Sequence, residues 1–157
     1  MWSGGTTTAP PPSSQSAKDP RPLRDRPYQN KMRQDILNWL QGTGYDISMQ
    51  TLLNITGNSY RSIVYHLVVE LDANYYFDPN ARFEEEFVPT LKALHYPFAA
   101  QIDPKWLAAP ASMHSWPFLL GVLHWLVQMC RVSYEVLSSY NSVSHHSTST
   151  GEITLFE

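Results

Sequence analysis

Residues 115–130 read SWPFLLGVLHWLVQMC, and this stretch decides the fold. Apolar side chains fill most positions and recur at spacings of three and four residues, which indicates a helix buried on nearly all sides. Ser115 belongs to a residue type that caps helices, and Pro117 suits the first turn, where its missing N–H leaves no hydrogen bond unmade. The stretch therefore predicts a central helix that continues to about Tyr140.

Three further segments repeat the helical period of apolar residues and are expected to pack around this central helix. Asp25 and Ser59 are the predicted caps of the first two, and Asp78 is the predicted start of the third, which contains Pro89. The predicted helices are residues 25–42, 59–71 and 78–94, with shorter helical turns at 48–53 and 104–107. The sequence therefore predicts an all-α domain with four principal helices and several short ones.

The composition divides the chain into three parts. Of the 157 residues, 43% are hydrophobic, which suffices for one core in a domain of ordinary size. Residues 1–18 are rich in Thr, Ser, Pro and Gly and are expected to form a disordered tail. The domain is predicted to span residues 19–140, and residues 141–157, which begin with Ser, Thr, His and Asn, are expected to be flexible.

The charged residues are distributed unevenly. The net charge is −3, yet residues 18–33 hold six cations and two acids, so this segment carries +4 and the remainder −7. A basic segment in an otherwise acidic chain indicates a local anionic partner. It does not favour nucleic acid, whose binding domains are usually strongly basic overall.

The sequence shows no pattern typical of an enzyme or of a cofactor or metal site. It lacks a glycine-rich phosphate loop and a nucleophile elbow, and the side chains of Glu84–Glu86 would point about 100° apart on a helix. The pair His145-His146 lacks further ligands beside it. Cys130 is expected to be a buried core thiol in a reducing compartment. No apolar stretch reaches the ~18 residues that would indicate a membrane span.

Five motifs make the chain recognisable, and they occur in a fixed order along it. They are DPRPLRD (19–25), RFEEE (82–86), YPF (96–98), HSWP (114–117) and LHWL (123–126). In this order they resemble the Hec/Ndc (nuclear division cycle eighty) family, the large subunit of the four-subunit outer-kinetochore complex. The resemblance implies a calponin-homology-type fold and a coiled coil farther downstream, with no enzymatic activity.

The same resemblance implies a function at the kinetochore, in the nucleus at the centromere. Family members bind the microtubule lattice through basic head residues, which match Arg26, Arg82 and His114 here and, loosely, Lys105. The implied partners are tubulin, a sister subunit with a similar head, and other kinetochore microtubule couplers. In the family, phosphorylation of the tail weakens attachment, and the candidates for phosphorylation here are Thr6, Thr7, Thr8, Ser13, Ser14 and Ser16.

Two departures and one alternative accompany this resemblance. Gln50 and Asn58 stand where relatives carry lysines, so the head is less basic than the family pattern implies, and the tail has only Lys18 as a cation. The alternative is a calponin-homology domain that binds actin or serves as an assembly scaffold. Actin-binding members usually come as tandem pairs, whereas the sequence predicts a single such domain.

Overall fold

The described part of the chain contains five α-helices and two short 3-10 turns, joined by loops. The structure is a computed structural model, and it describes residues 4–5 and 17–146. The helices are α1 (Arg26–Gly42), α2 (Met49–Leu53), α3 (Gly57–Leu71), α4 (Phe83–Ala93) and α5 (Trp116–His146), and the 3-10 turns are Ala99–Gln101 and Pro104–Ala108. Within these described ranges the chain forms no strand. The all-α, calponin-homology-type fold predicted from the sequence is confirmed.

The central element is α5, as its apolar sequence predicts. It packs against α1 and α3, and its buried hydrophobic residues are Leu119, Leu120, Val122, Leu123, Leu126, Val127 and Cys130. The fully buried Tyr60 of α3 donates a hydrogen bond from its hydroxyl to the carbonyl oxygen of Leu119, at 2.9 Å. Beyond Cys130 the helix continues past the predicted end at Tyr140 to His146, and most side chains there are exposed. The pattern therefore located the core helix correctly but underestimated its length.

The first helix begins where the sequence predicts. Asp25 has an extended backbone, and its side chain accepts a hydrogen bond from the amide of Tyr28 at 3.1 Å. Pro27 lies in the first turn, and the predicted apolar face is buried against α5. The helix ends at Gly42, and Gly44 follows with a φ of 82°, a conformation that glycine adopts without strain.

Two predicted helix starts are wrong. The cap of α3 is Thr56, whose hydroxyl accepts from the amide of Ser59 at 3.2 Å, so the helix begins before Ser59. Asp78 does not begin α4, because its side chain accepts from the amide of Asn80 and closes a turn. The backbone of Asp78 in turn donates to Glu86 at 2.7 Å. These residues are therefore held in a turn, and α4 begins five residues farther on, at Phe83.

The predicted core thiol lies in the core. Cys130 is buried and donates from its Sγ to the carbonyl oxygen of Leu67, with 3.5 Å between the atoms. Burial raises the pKa of Cys130 to about 12, so the thiol stays protonated and unreactive at neutral pH. None of the described helices combines the length and the apolar character that a membrane crossing requires.

Candidate functional site

The four head residues predicted to bind a partner are all exposed, and they lie on different elements. Arg26 is the first residue of α1, and Arg82 immediately precedes α4. Lys105 lies in the second 3-10 turn, and His114 lies in the loop before α5. The four residues therefore come from four different stretches of the chain.

Arg26 borders a shallow cleft, here called the first cleft. Its lining includes Arg24, Arg26 and Gln29 together with Met113 and Trp116. Met113 is 92% exposed, and His114, which follows it in the chain, does not line the cleft. The first cleft therefore combines two guanidinium groups with apolar and aromatic side chains.

Arg82 borders a second cleft with a more polar lining. Its lining includes Arg82, Asn58 and Arg61 of α3, and Leu107 of the second 3-10 turn. The side chain of Arg82 is 75% exposed and lies 3.9 Å from a carboxylate oxygen of Glu84, a weak surface pair. The second cleft therefore presents two arginines, one of them predicted and the other, Arg61, not.

A row of side chains in contact with one another lies between the two clefts. The guanidinium carbon of Arg24 lies 5.7 Å from the ring centroid of Phe118, and Phe118 stacks on Trp106 at 5.1 Å. The ring of His114 meets Trp106 edge-on at 5.6 Å. Lys105 and Leu107 flank Trp106 in the chain, and Leu107 lines the second cleft, so this aromatic bridge ends next to that cleft. We call the two clefts and the bridge together the cationic surface.

The charge count of residues 18–33 overstates the basic character of that segment. Arg21 forms an ion pair with Asp19 at 2.7 Å, and Lys31 forms one with Asp35 at 2.7 Å. Of the six cations counted in the sequence, Arg24 and Arg26 line the first cleft. A count along the chain cannot distinguish these roles, because pairing depends on which acid lies nearby in the fold.

Of the three glutamates considered in the sequence, Glu84 lines the second cleft beside Arg82. Glu85 is exposed, while Glu84 and Glu86 are half-buried, and Glu86 accepts the backbone hydrogen bond of Asp78. Among the described residues no group of three or more His, Cys, Asp or Glu side chains is arranged to hold a metal ion. The candidate phosphorylation sites between Thr6 and Ser16 lie outside the described residues.

Comparison with known proteins assigns the chain to a family. The model of the HEC/Ndc80p family matches residues 27–141, which include Arg82, Lys105 and His114. The chain belongs to the HEC/Ndc80p family. The resemblance inferred from the five motifs is therefore confirmed, and the match covers all five helices apart from the two ends of the helical region.

Three HEC/Ndc80p relatives illustrate the similarity. The kinetochore protein ndc80 of Schizosaccharomyces pombe is 35% identical over 138 residues, which cover 87% of this chain and 22% of that protein. The probable kinetochore protein NDC80 of Cryptococcus neoformans var. neoformans serotype D is 34% identical over 134 residues, 82% of this chain and 18% of the relative. That of Kluyveromyces lactis is 32% identical over 146 residues, with corresponding shares of 89% and 21%. The chain spans about a fifth of the length of these relatives, which are named as kinetochore proteins and not as enzymes.

Proposed function

We propose that this chain is the head of a kinetochore subunit that binds the microtubule lattice through the cationic surface. Membership of the HEC/Ndc80p family and the names of its relatives support a place at the kinetochore, at the centromere in the nucleus. The arrangement of Arg24, Arg26, Arg61 and Arg82 around two clefts supports an acidic partner. The observation that carries the proposal is the aromatic bridge, because it runs from Arg24 of the first cleft through Phe118 to Trp106, the chain neighbour of Leu107 in the second cleft.

The chemistry of the surface fits a protein partner with acidic side chains. Arginine presents a planar fork that pairs with a carboxylate through two hydrogen bonds, and all four cleft cations are arginines. Trp106, Trp116 and Met113 add apolar contact area next to those charges. Exposed ion pairs contribute only about 0.2–1 kcal/mol each, so one head should bind weakly. Firm attachment then requires several heads on one lattice.

The proposal includes partners and a mode of regulation that the described residues do not contain. A sister subunit with a calponin-homology head would form a heterodimer with this chain, and other microtubule couplers of the kinetochore would act beside it. Phosphorylation of the tail candidates would add about −1.5 to −2 charge per site. Such charge next to an acidic lattice would repel it and weaken binding.

Co-sedimentation with stabilised microtubules across a salt series tests the proposal. The 157-residue chain, displayed as a dimer through a coiled coil fused after Glu157, should pellet with microtubules at low salt. Binding should weaken steeply between about 50 and 200 mM salt, because screening acts on exposed charges over ~8–10 Å. Absence of pelleting even at low salt would contradict the proposal, and filamentous actin would then be the next polymer to test.

A further inference from the structure

A half-buried arginine, Arg21, holds the segment that precedes α1, residues 17–24, which we call the arm. The guanidinium of Arg21 donates to both carboxylate oxygens of Asp19, and its Nη2–Oδ2 distance is 2.7 Å. The same group donates to the carbonyl oxygen of Gly121 at 2.9 Å and to the hydroxyl of Tyr96 at 2.6 Å. Arg21 therefore ties the arm both to α5 and to the loop after α4.

The arm lies directly on the backbone of α5. A Cβ atom added at Gly121 would lie 3.0 Å from Cδ2 of Leu23 and 3.2 Å from Nη2 of Arg21, closer than most side chains tolerate. Leu23 itself is 6% exposed, so its side chain belongs to the core. At the other end of the arm, the carbonyl oxygen of Ala17 accepts from Nε2 of Gln101 at 2.8 Å. Contacts with three different parts of the domain therefore fix the arm along its length.

The charge of Arg21 is retained in this setting. Burial alone would lower the pKa of Arg21, but the hydrogen bonds and charge of Asp19 and the contact with Tyr96 outweigh burial and raise it. The guanidinium also lies 5.5 Å from the ring centroid of Phe98. The Asp19 side chain is 6% exposed, so loss of its partner would leave a nearly buried carboxylate unpaired. Such a loss is costly, which makes Arg21 difficult to replace.

The arm leads directly to the cationic surface. Arg24, three residues after Arg21, lies over Phe118 of the aromatic bridge and lines the first cleft together with Arg26. Lys18, at the other end of the arm, lines a groove with Arg24, Gln101 and Phe118. The positions of Lys18 and Arg24 therefore depend on how the arm is held. Their own surface contacts are too weak to hold it, since exposed pairs contribute little.

We propose that Arg21 is a positioning residue that fixes the arm to α5, so that Lys18 and Arg24 are held in place next to Arg26 at the start of α1. The effect of the arm on binding rests on the proposed microtubule binding. Ala17, at the start of the arm, is held beside Gln101, next to the groove that Lys18 and Arg24 line. The start of the arm therefore lies next to Arg24, which also lines the first cleft.

Hydrogen exchange of the arm tests, without microtubules, whether Arg21 holds it. The variant Arg21→Lys keeps the positive charge but loses the fork that reaches Asp19, Gly121 and Tyr96 together. Three amides of the arm and its junction with α1 are hydrogen-bonded: those of Arg21, Leu23 and Asp25. Their exchange, measured by mass spectrometry, should accelerate roughly tenfold or more on loss of these charge-assisted hydrogen bonds. Exchange of the core amides of α5 should not change.

Two matched variants accompany this measurement. Tyr96→Phe removes the hydroxyl that Arg21 contacts and keeps the ring against Trp125, so it should give a smaller acceleration in the same three amides. Arg131→Lys makes the same replacement at an exposed position of α5 and should leave the arm unchanged. Unchanged exchange of these amides in both Arg21→Lys and Tyr96→Phe would overturn the inference that Arg21 holds the arm.

Microtubule co-sedimentation of the same dimeric proteins tests the positioning role. Arg21→Lys should weaken binding by about two- to tenfold and flatten the dependence of the logarithm of affinity on that of salt, because fewer cations stay aligned. Faster exchange with unchanged affinity and salt dependence would overturn the positioning role. If the unmodified protein does not bind microtubules at all, the proposed function and the positioning role both fail, while the exchange result still decides whether Arg21 holds the arm.

Discussion

His124, within the LHWL motif, is a buried histidine that joins α5 to α1. It is 3% exposed, and its Nε2 lies 2.9 Å from Oδ2 of Asp35, which also accepts from Nζ of Lys31 at 2.7 Å. Within the described residues its Nδ1 has no hydrogen-bond partner. Burial lowers the pKa of His124, although Asp35 partly opposes the effect. The ring is therefore held neutral in the folded protein at physiological pH.

This buried histidine should make stability depend on pH. Because its folded pKa lies below the unfolded value near 6.5, the unfolded state binds more protons, so stability is full above about pH 7 and falls as the pH is lowered. The melting temperature should therefore decrease between pH 7.5 and 5.5, and His124→Gln should decrease less over that range. His114→Gln, at an exposed site, is the control and should follow the unmodified protein. Equal decreases in all three proteins would contradict the account.

Single residues show where sequence reasoning succeeds and where it fails. Cys130 was predicted to be a core thiol, because an apolar helix leaves a lone cysteine few other roles, and it is buried. Arg21 was counted among the basic residues that attract a partner, yet it is mostly buried and paired with Asp19. Arg61 was not selected, since a cation on a helix gives no sign of the cleft it faces. Burial and pairing across the fold decide these roles, and a linear sequence does not contain them.

At the scale of elements, the second 3-10 turn is held tightly against α3. A Cβ at Gly57, the first residue of α3, would lie 2.8 Å from the carbonyl oxygen of Leu107, a backbone atom that cannot rotate away. The contact fixes the turn that carries Lys105 and Trp106. Glycine is therefore required here by close approach of two backbones, not by an unusual φ.

Gly57→Ala should consequently disturb both stability and the second cleft. The added methyl group must push the turn away from α3, and overpacking of this kind costs about 1–3 kcal/mol. Chemical unfolding should show this loss, and microtubule binding should weaken because Lys105 and Leu107 move. The control is Gly42→Ala at the end of α1, where a Cβ would meet nothing within 4 Å. A Gly57→Ala protein as stable as the control would contradict the prediction that the Leu107 carbonyl leaves no room for a methyl group at this position.

The helix boundaries were less predictable than the helices themselves. Apolar periodicity identified all four principal helices, because burial of one face depends mainly on the sequence of that element. The cap of α1 at Asp25 was predicted correctly, while those at Ser59 and Asp78 were not. Several residues near each start carry a suitable oxygen, and the fold selects among them. Glu86, which binds the Asp78 backbone from eight residues away, is one such selecting contact.

At the scale of the whole molecule, the cationic surface is assembled from five separate stretches of the chain. The arm with the start of α1, the start of α3, the segment around the start of α4, the second 3-10 turn and the segment around the start of α5 each contribute a part. The family resemblance selected Arg26, Arg82, Lys105 and His114, and of these His114 contacts Trp106 of the aromatic bridge, while Lys105 precedes Trp106 in the chain. Microtubule binding by this surface stays a prediction, and the proposed function depends on it.

Charge reversal at the two clefts tests that central claim most directly. The double variant Arg26→Glu/Arg82→Glu should bind microtubules at least about fivefold more weakly, since two contacts worth ~0.2–1 kcal/mol each become repulsive. The double variant should keep its helical circular dichroism, because both side chains are exposed. Arg131→Glu changes an exposed arginine of α5 about 22 Å along the helix from Trp116 and should bind almost normally. Equal binding by the folded double variant and the unmodified protein would contradict the claim that these clefts face the lattice.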